Sequence, residues 1–379
     1  MKKFISLFLA ALLLLSMCAC SSKASVPDAS TPAAEEASAE AAPDEEIQVP
    51  AAAESAEDST KLPAITYYAP EIPDVPDFPE GEEVFTLATG TESDKSYTYG
   101  KIMSSVFRDY VGVNINPVPV KSGDFKDVIY EVCNFNASIG IATEDLLRDA
   151  LFGTGYFEGE PEKYVYAICS LYPTSLVPYT ADPDIVTVSD IKGHSIFVGR
   201  KGGQIEHTAD LLLDTAGIGN GDVVKIYDDT GISATDALET DMADVAFALV
   251  ANGYEYSSIK DTGLYIVTVP DETSVELAIR GSAWSALNDL AAQGAGNIRC
   301  IGVRTILFSY GNFLMLTEGN CSISSALYDN REIIQAYTDL GYYLTPSYMA
   351  LAKLPYHEVE SNFYHHYDVD VKINREDFK

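Results

Sequence analysis

The sequence predicts an α/β fold of mostly parallel sheets flanked by helices, and two observations carry that reading. From residue 83 onward, short β-rich runs alternate with segments whose apolar residues recur at helical spacing, the pattern of strands covered on both faces. The same pattern appears twice along a stretch long enough to bury two medium-sized lobes.

Val84 to Ala88 reads as the first strand, and Thr89-Gly90-Thr91-Glu92-Ser93-Asp94 as the turn after it. Tyr99, Ile102, Met103, Val106, Phe107 and Tyr110 then recur as one helical face. Val113 to Val120 is extended, and Ser122-Gly123-Asp124 is a turn with an N-cap. Phe125, Val128, Ile129 and Val132 form the apolar face of the next helix, and Ala137 to Ala142 is a strand. Further on, Ser195 to Val198 is a strand, Gly199-Arg200-Lys201-Gly202-Gly203 a glycine-rich loop, and Ile205 to Thr215 a helix closed by Gly217. Val223 to Tyr227 is extended, Ser233 to Glu239 a short helix, and Ala243 to Leu249 a strand. Trp284 falls in a stretch, 282–292, that reads as a packing helix.

The first residues form a separate segment. Lys2 and Lys3 precede an apolar run from Phe4 to Leu15, and Ser16-Met17-Cys18-Ala19-Cys20 follows. A charged start, a short apolar core and small residues near a cysteine predict a signal peptide over 1–19. The small Ala19 favours Cys20 over Cys18 as the lipidated residue, in a motif that resembles a bacterial lipobox. Two acyl chains suffice for stable anchoring. Residues 20–82 are rich in Ala, Glu, Ser and Pro and hold half of the 18 prolines, a composition that predicts a disordered, extended tether.

The net charge is −33, and about −21 of it falls on the region after the tether. Such a body repels nucleic acid and anionic headgroups, which excludes both as expected partners. Cys133, Cys169, Cys300 and Cys321 remain for an exported domain, where three disulfide pairings or buried thiols are open. No nucleophile elbow, Walker loop, zincin helix or cysteine-histidine metal spacing occurs, so neither an enzyme nor a cofactor or metal is expected. His357, His365 and His366 lie close together near the end of the chain, but His365 and His366 are adjacent and would point apart.

Ligands of open α/β sheets bind beyond the carboxyl ends of the strands, where helix N-termini offer free N–H groups to an anion. Three strand-loop-helix junctions of this kind follow Ala88, Val120 and Val198. They coincide with a family resemblance. Thr89-Gly90 with Tyr97 and Gly100, Ala137-Ser138-Ile139-Gly140-Ile141 leading to Asp145, and Val188 to Gly199 carry it, together with Ala243-Asp244-Val245-Ala246-Phe247 and Leu354-Pro355-Tyr356-His357. On these residues the chain resembles the TAXI family of TRAP-transporter solute receptors.

The resemblance implies a two-lobed type II periplasmic-binding-protein clamp with hinge crossovers near Cys169 and Cys300. Lobe 1 would span 83–172 and 300–379, and lobe 2 would span 173–299. It further implies a monomeric receptor that captures a small carboxylate and hands it to a TRAP-type membrane permease. Carried onto this sequence, the ligand-binding positions are Thr91, Ser96, Tyr97, Asp124, Asp127, Thr143, Lys201, Gly202, Gly203, Glu206 and Asn252.

The sequence departs from the family in all three loops. Ser93-Asp94-Lys95-Ser96 precedes a single Tyr97; Asp124 and Asp127 stand where a Ser and an Asn are usual; and Gly202-Gly203-Gln204-Ile205-Glu206 lacks two hydroxyls. Aspartates against a bound carboxylate would repel it. An amphoteric solute, with its cation toward Asp94, Asp124 and Asp127 and its anion toward Arg200 and Lys201, satisfies both sets of charges. The alternative is that these acids are helix caps facing away. A binding lipoprotein for an ABC importer or a sensor, and a surface interaction protein without a cleft, are the rival functions.

Overall fold

The computed structural model describes residues 71–228, 230–251, 263–280, 282–287, 300–311 and 322–378. The signal segment, Cys20, most of the tether, Asn252 and Cys321 lie outside them. Among the described residues, no helix is long and apolar enough to cross a membrane.

The first βαβαβ unit follows its apolar periodicity closely. Strand β1 (Val84–Thr89) leads to α1 (Lys95–Val106), β2 (Asn114–Pro119), α2 (Phe125–Cys133), β3 (Ile139–Thr143) and α3 (Glu144–Phe152). Phe125, Val128, Ile129 and Val132 are all buried, as expected from their spacing. Asp94 and Asp124 are the N-caps of α1 and α2, accepting the N–H groups of Ser96 at 2.7 Å and Lys126 at 2.9 Å. Tyr110 corrects the expected helical face: α1 widens after Val106 into a π-helical turn, Phe107–Val111, closed by Gly112 at φ +77°. That turn swings Tyr110 off the core, leaving it 62% exposed.

The second unit contains β5 (Ser195–Phe197), α4 (Gln204–Thr215), β6 (Val224–Ile226), α5 (Ala234–Glu239) and β7 (Val245–Ala251). Between the units runs β4 (Val165–Thr180), 16 residues long and buried on both faces at nearly every position. Strands β8 (Tyr265–Ile266), β9 (Ser285–Leu287) and β10 (Cys300–Tyr310) follow, with α6 (Asp271–Ile279) between β8 and β9. The sequence around Trp284 is therefore not continuously helical. Its residues 285–287 pair antiparallel with β10, whose own inter-strand partners make this region sheet.

The strands form one ten-stranded sheet in the order β2-β1-β3-β10-β4-β7-β5-β6, with β8 on β4 and β9 on β10. Strand β1 pairs in parallel with β2 and β3, and β5 with β6 and β7. The long strands β4 and β10 run antiparallel to each other and join the two parallel sets. Two crossover strands in one sheet couple the halves while leaving few points about which they can turn.

Those points are visible in the packing. The core around α1–α3 takes Ile168, Leu171 and Tyr172 from β4 and Ile306, Leu307 and Phe308 from β10. The core around α4 takes Leu176 from β4 and Ile301 and Val303 from β10. The chain therefore changes lobes at Pro173–Ser175 and at Arg304–Thr305, a few residues beyond Cys169 and Cys300. The ladder is irregular beside Thr305, and the Thr174 and Thr305 hydroxyls meet there at 2.7 Å. The register skips Leu171, between Tyr172 and Ser170, while Pro173 still lies opposite Arg304.

Helices α7 (Ile323–Asp329), α8 (Arg331–Tyr337), α9 (Leu340–Tyr343), α10 (Pro346–Met349) and α11 (Glu358–His366) return to cover the first core. Glu360, itself buried, accepts the N–H groups of Ile323 and Ser324, both at 2.9 Å, which fixes α11 against the start of α7.

Candidate functional site

The three loops read from the sequence converge at one edge of the two lobes. A Cβ on Gly123 would lie 2.9 Å from the Thr91 methyl, so the loops after β1 and β2 touch. From the other lobe, Arg200 donates to the Ser122 carbonyl at 3.4 Å, and its charge and the start of α4 at Gln204 lie near the Asp124 carboxylate. Tyr156, in the 3-10 turn Gly155–Phe157 after α3, donates its hydroxyl to the Gly203 carbonyl, and its ring lies tilted with its centroid 4.7 Å from that of His207.

A fourth junction, between β3 and α3, supplies the floor. Gln204 donates its side-chain amide to the Thr143 hydroxyl at 2.6 Å and to both Asp145 oxygens at 3.3 Å. The Trp284 indole donates to Asp145 at 3.0 Å. Trp284 is buried as expected, yet its N–H has a polar task across 139 residues of sequence.

Burial pushes the Asp124 carboxyl above its ordinary range, against the hydrogen bonds from the Lys126 and Gln204 N–H groups and the charge of Arg200. Burial likewise raises Asp145, opposed by hydrogen bonds from Thr143, Leu146, Trp284 and Gln204. Tyr156 is raised by burial and by the carboxylates of Asp124, Asp145 and Glu206, which keeps its hydroxyl a donor. The junction is thus a desolvated polar seam in which each lobe presents donors to the other's acceptors.

The expected site residues distribute unevenly over this seam. Thr143, Asp124 and Gly203 lie in it. Ser96 is buried beneath the first loop and accepts the Gly90 N–H at 2.9 Å, while Thr91 contacts Ser93 at 3.0 Å. Tyr97 is half-buried with the Lys101 ammonium 5.7 Å above its ring. Lys201 is exposed and lies 5.8 Å over the ring of Tyr227. Asp127 is in the first turn of α2, where its N–H closes the turn on the Asp124 carbonyl. Asn252 lies outside the described residues.

Glu206 is bound within its own lobe. It accepts the Gly202 N–H at 2.6 Å, the Tyr227 hydroxyl at 2.7 Å and the Lys225 ammonium at 3.0 Å. Lys225 also pairs with Asp210 at 2.6 Å. Burial works against ionisation of Glu206, but these donors outweigh it and hold the carboxyl below the usual range. Its role is to fix the glycine loop that carries Lys201, Gly202 and Gly203.

Sequence reasoning did not single out Gln204 or Tyr156 for the site. Gln204 had a signal, as the first residue of a helix after two glycines. Tyr156 had none, since its loop has no periodic pattern. His357 is a structural cap: it is nearly buried, accepts the Val359 N–H at 3.3 Å through Nδ1, and is held below the usual histidine range by burial. Among the described residues, no group of three or more His, Cys, Asp or Glu side chains gathers as metal ligands.

Two parallel units joined by antiparallel crossover strands, with helix N-termini facing each other at the junction, define a type II periplasmic-binding-protein clamp. The model of the NMT1-like family matches residues 87–309, more than half of the chain, and the chain belongs to that family. No curated protein matches it. Solved structures with a similar trace include the periplasmic aliphatic sulphonate binding protein SsuA from Escherichia coli, at 13% identity over 78% of this chain and 97% of that one, with a TM-score of 0.43. The substrate binding protein of an amino acid ABC transporter is similar at 13% identity over 70% and 94% of the two chains, with a TM-score of 0.38. The amino acid ABC transporter substrate-binding protein AbpA from Streptococcus pneumoniae, bound to L-arginine, is similar at 9% identity over 68% and 94%, with a TM-score of 0.38. These likenesses are distant, and the strand order itself carries the fold.

Proposed function

We propose that this protein is an extracytoplasmic solute-binding receptor, without catalytic activity, that captures a small polar metabolite at the junction of its lobes. The observation that carries the reading is the convergence of helix N-termini and desolvated acceptors from both lobes, with Gln204 of α4 set against Thr143, Asp145 and Asp124. Such a site supplies donors for a carboxylate and acceptors for a cation, which suits a carboxylate-bearing or amphoteric solute.

The resemblance to TAXI receptors supports the finer reading. The receptor is anchored through lipid on Cys20, raised on the tether over 20–82, and delivers its solute as a monomer to a TRAP-type permease. Its lobes follow the expected division into 83–172 with 300–379, and 173–299, except that the second boundary moves to Arg304–Thr305, since Ile301 and Val303 share the second core. The clamp alone does not select the permease, so an ABC importer or a sensor is the alternative partner. Co-purification of the chain with the membrane proteins of its own cell distinguishes them.

A thermal-shift screen of the purified chain against amino acids, dicarboxylates and other zwitterions tests the receptor reading. A solute at about a hundred times its Kd adds roughly 2.7 kcal/mol, enough to raise the midpoint by several degrees. If no solute class shifts the midpoint, the receptor reading fails.

A further inference from the structure

The Lys126 ammonium lies 5.5 Å from the ring centroid of Tyr130, 5.5 Å from that of Tyr156 and 5.7 Å from that of Phe157. All three fall within the roughly 6 Å over which a ring quadrupole attracts a cation. Tyr130 packs on Phe157 at 5.3 Å, which fixes two walls of this aromatic box within the first lobe. Tyr156 forms the third wall and is held by the second lobe, through Gly203 and the ring of His207. The box therefore straddles the seam where the lobes meet.

Two residues before Lys126, the Asp124 carboxylate caps α2 by accepting the Lys126 N–H at 2.9 Å. One turn of chain thus seats a carboxylate at a helix N-terminus and an ammonium among three rings. A free zwitterion entering the cleft would present the same two groups.

Resting on the receptor reading above, we infer that Tyr130, Tyr156 and Phe157 form a cation subsite of the solute cleft, filled here by the protein's own Lys126. The solute carries an alkylammonium group, and its binding displaces the Lys126 ammonium from the box. Lysine suits that part because its long stem lets the ammonium leave for water without moving the backbone. A site whose competent form is only part of the population binds more weakly by that fraction, so an internal competitor weakens apparent affinity.

The test is isothermal titration of the full chain with glycine betaine, tetramethylammonium chloride and 2-oxoglutarate, on the native protein and on Lys126→Met. Removing the competitor strengthens betaine and tetramethylammonium binding by about tenfold and leaves 2-oxoglutarate unchanged. Adding Tyr130→Leu reverses the gain, and so does Tyr156→Leu, which removes the wall held by the second lobe. Circular dichroism melting confirms that each variant is folded, and Tyr156→Leu decides the matter if Tyr130→Leu does not fold. If 2-oxoglutarate binds every variant equally while neither cation binds a folded Lys126→Met, the subsite is wrong and the receptor reading stands. If none of the three probes binds and the wider solute screen is also silent, both fall.

Discussion

Asp124 caps α2 and Glu206 lies in the first turn of α4, and their environments shift the two carboxylates in opposite directions. Glu206 is held low in the folded protein, so the unfolded chain binds more protons there. Its stabilisation is present at neutral pH and is lost as pH falls through its folded-state value. Glu206→Gln is therefore expected to destabilise the protein by about 1 kcal/mol at pH 7, with the gap closing in acid. Asp124 is raised, so the folded state binds the extra proton and the ionised form is penalised at neutral pH. Asp124→Asn keeps the helix cap, and it is expected to melt above the native protein at pH 7 and level with it in acid. Urea titrations at several pH values measure both signs. Cys133 gives a third check at this scale: burial and the nearby Glu162 charge push its thiol up to about 12. It should resist iodoacetamide at pH 8 in the folded protein and react once unfolded.

At the scale of elements, the contact of β3 with its neighbours has little slack. A Cβ on Gly140 would stand 2.7 Å from the Phe308 ring and 2.8 Å from a Val132 methyl. Gly140→Ala should cost about 1–3 kcal/mol by overpacking between α2 and β10, measured as a lowered urea midpoint with an unchanged slope. Most helices were legible because each buries one periodic face, as in Phe125, Val128, Ile129 and Val132, and most strands because they are short apolar runs between turn residues, buried on both faces. Tyr110 broke the pattern because a π-helical turn changes the phase of a helix without changing its composition. The stretch around Trp284 misread as helix because β9 owes its form to β10, a partner that local spacing does not reveal.

Across the whole molecule, the site was legible in part. The glycine loops and the caps at Asp94 and Asp124 follow from turn chemistry within a few residues. The contacts of Gln204 with Thr143 and Asp145, and of Trp284 with Asp145, join residues 59 to 139 positions apart and depend on how the lobes meet. These contacts, with the Tyr156 hydroxyl, hold the lobes together about crossovers at Pro173–Ser175 and Arg304–Thr305. Gln204→Ala leaves Asp145 with fewer donors in a desolvated place, at a cost of about 1–3 kcal/mol, and favours an open arrangement.

Small-angle scattering of the Gln204→Ala variant, with and without a solute found by thermal shift, tests the central claim that this junction is a closing solute site. The account predicts a larger radius of gyration than the native protein without solute, and contraction toward the native value when solute is added. An unchanged radius in both states, from a variant that still binds solute at native affinity, would contradict it.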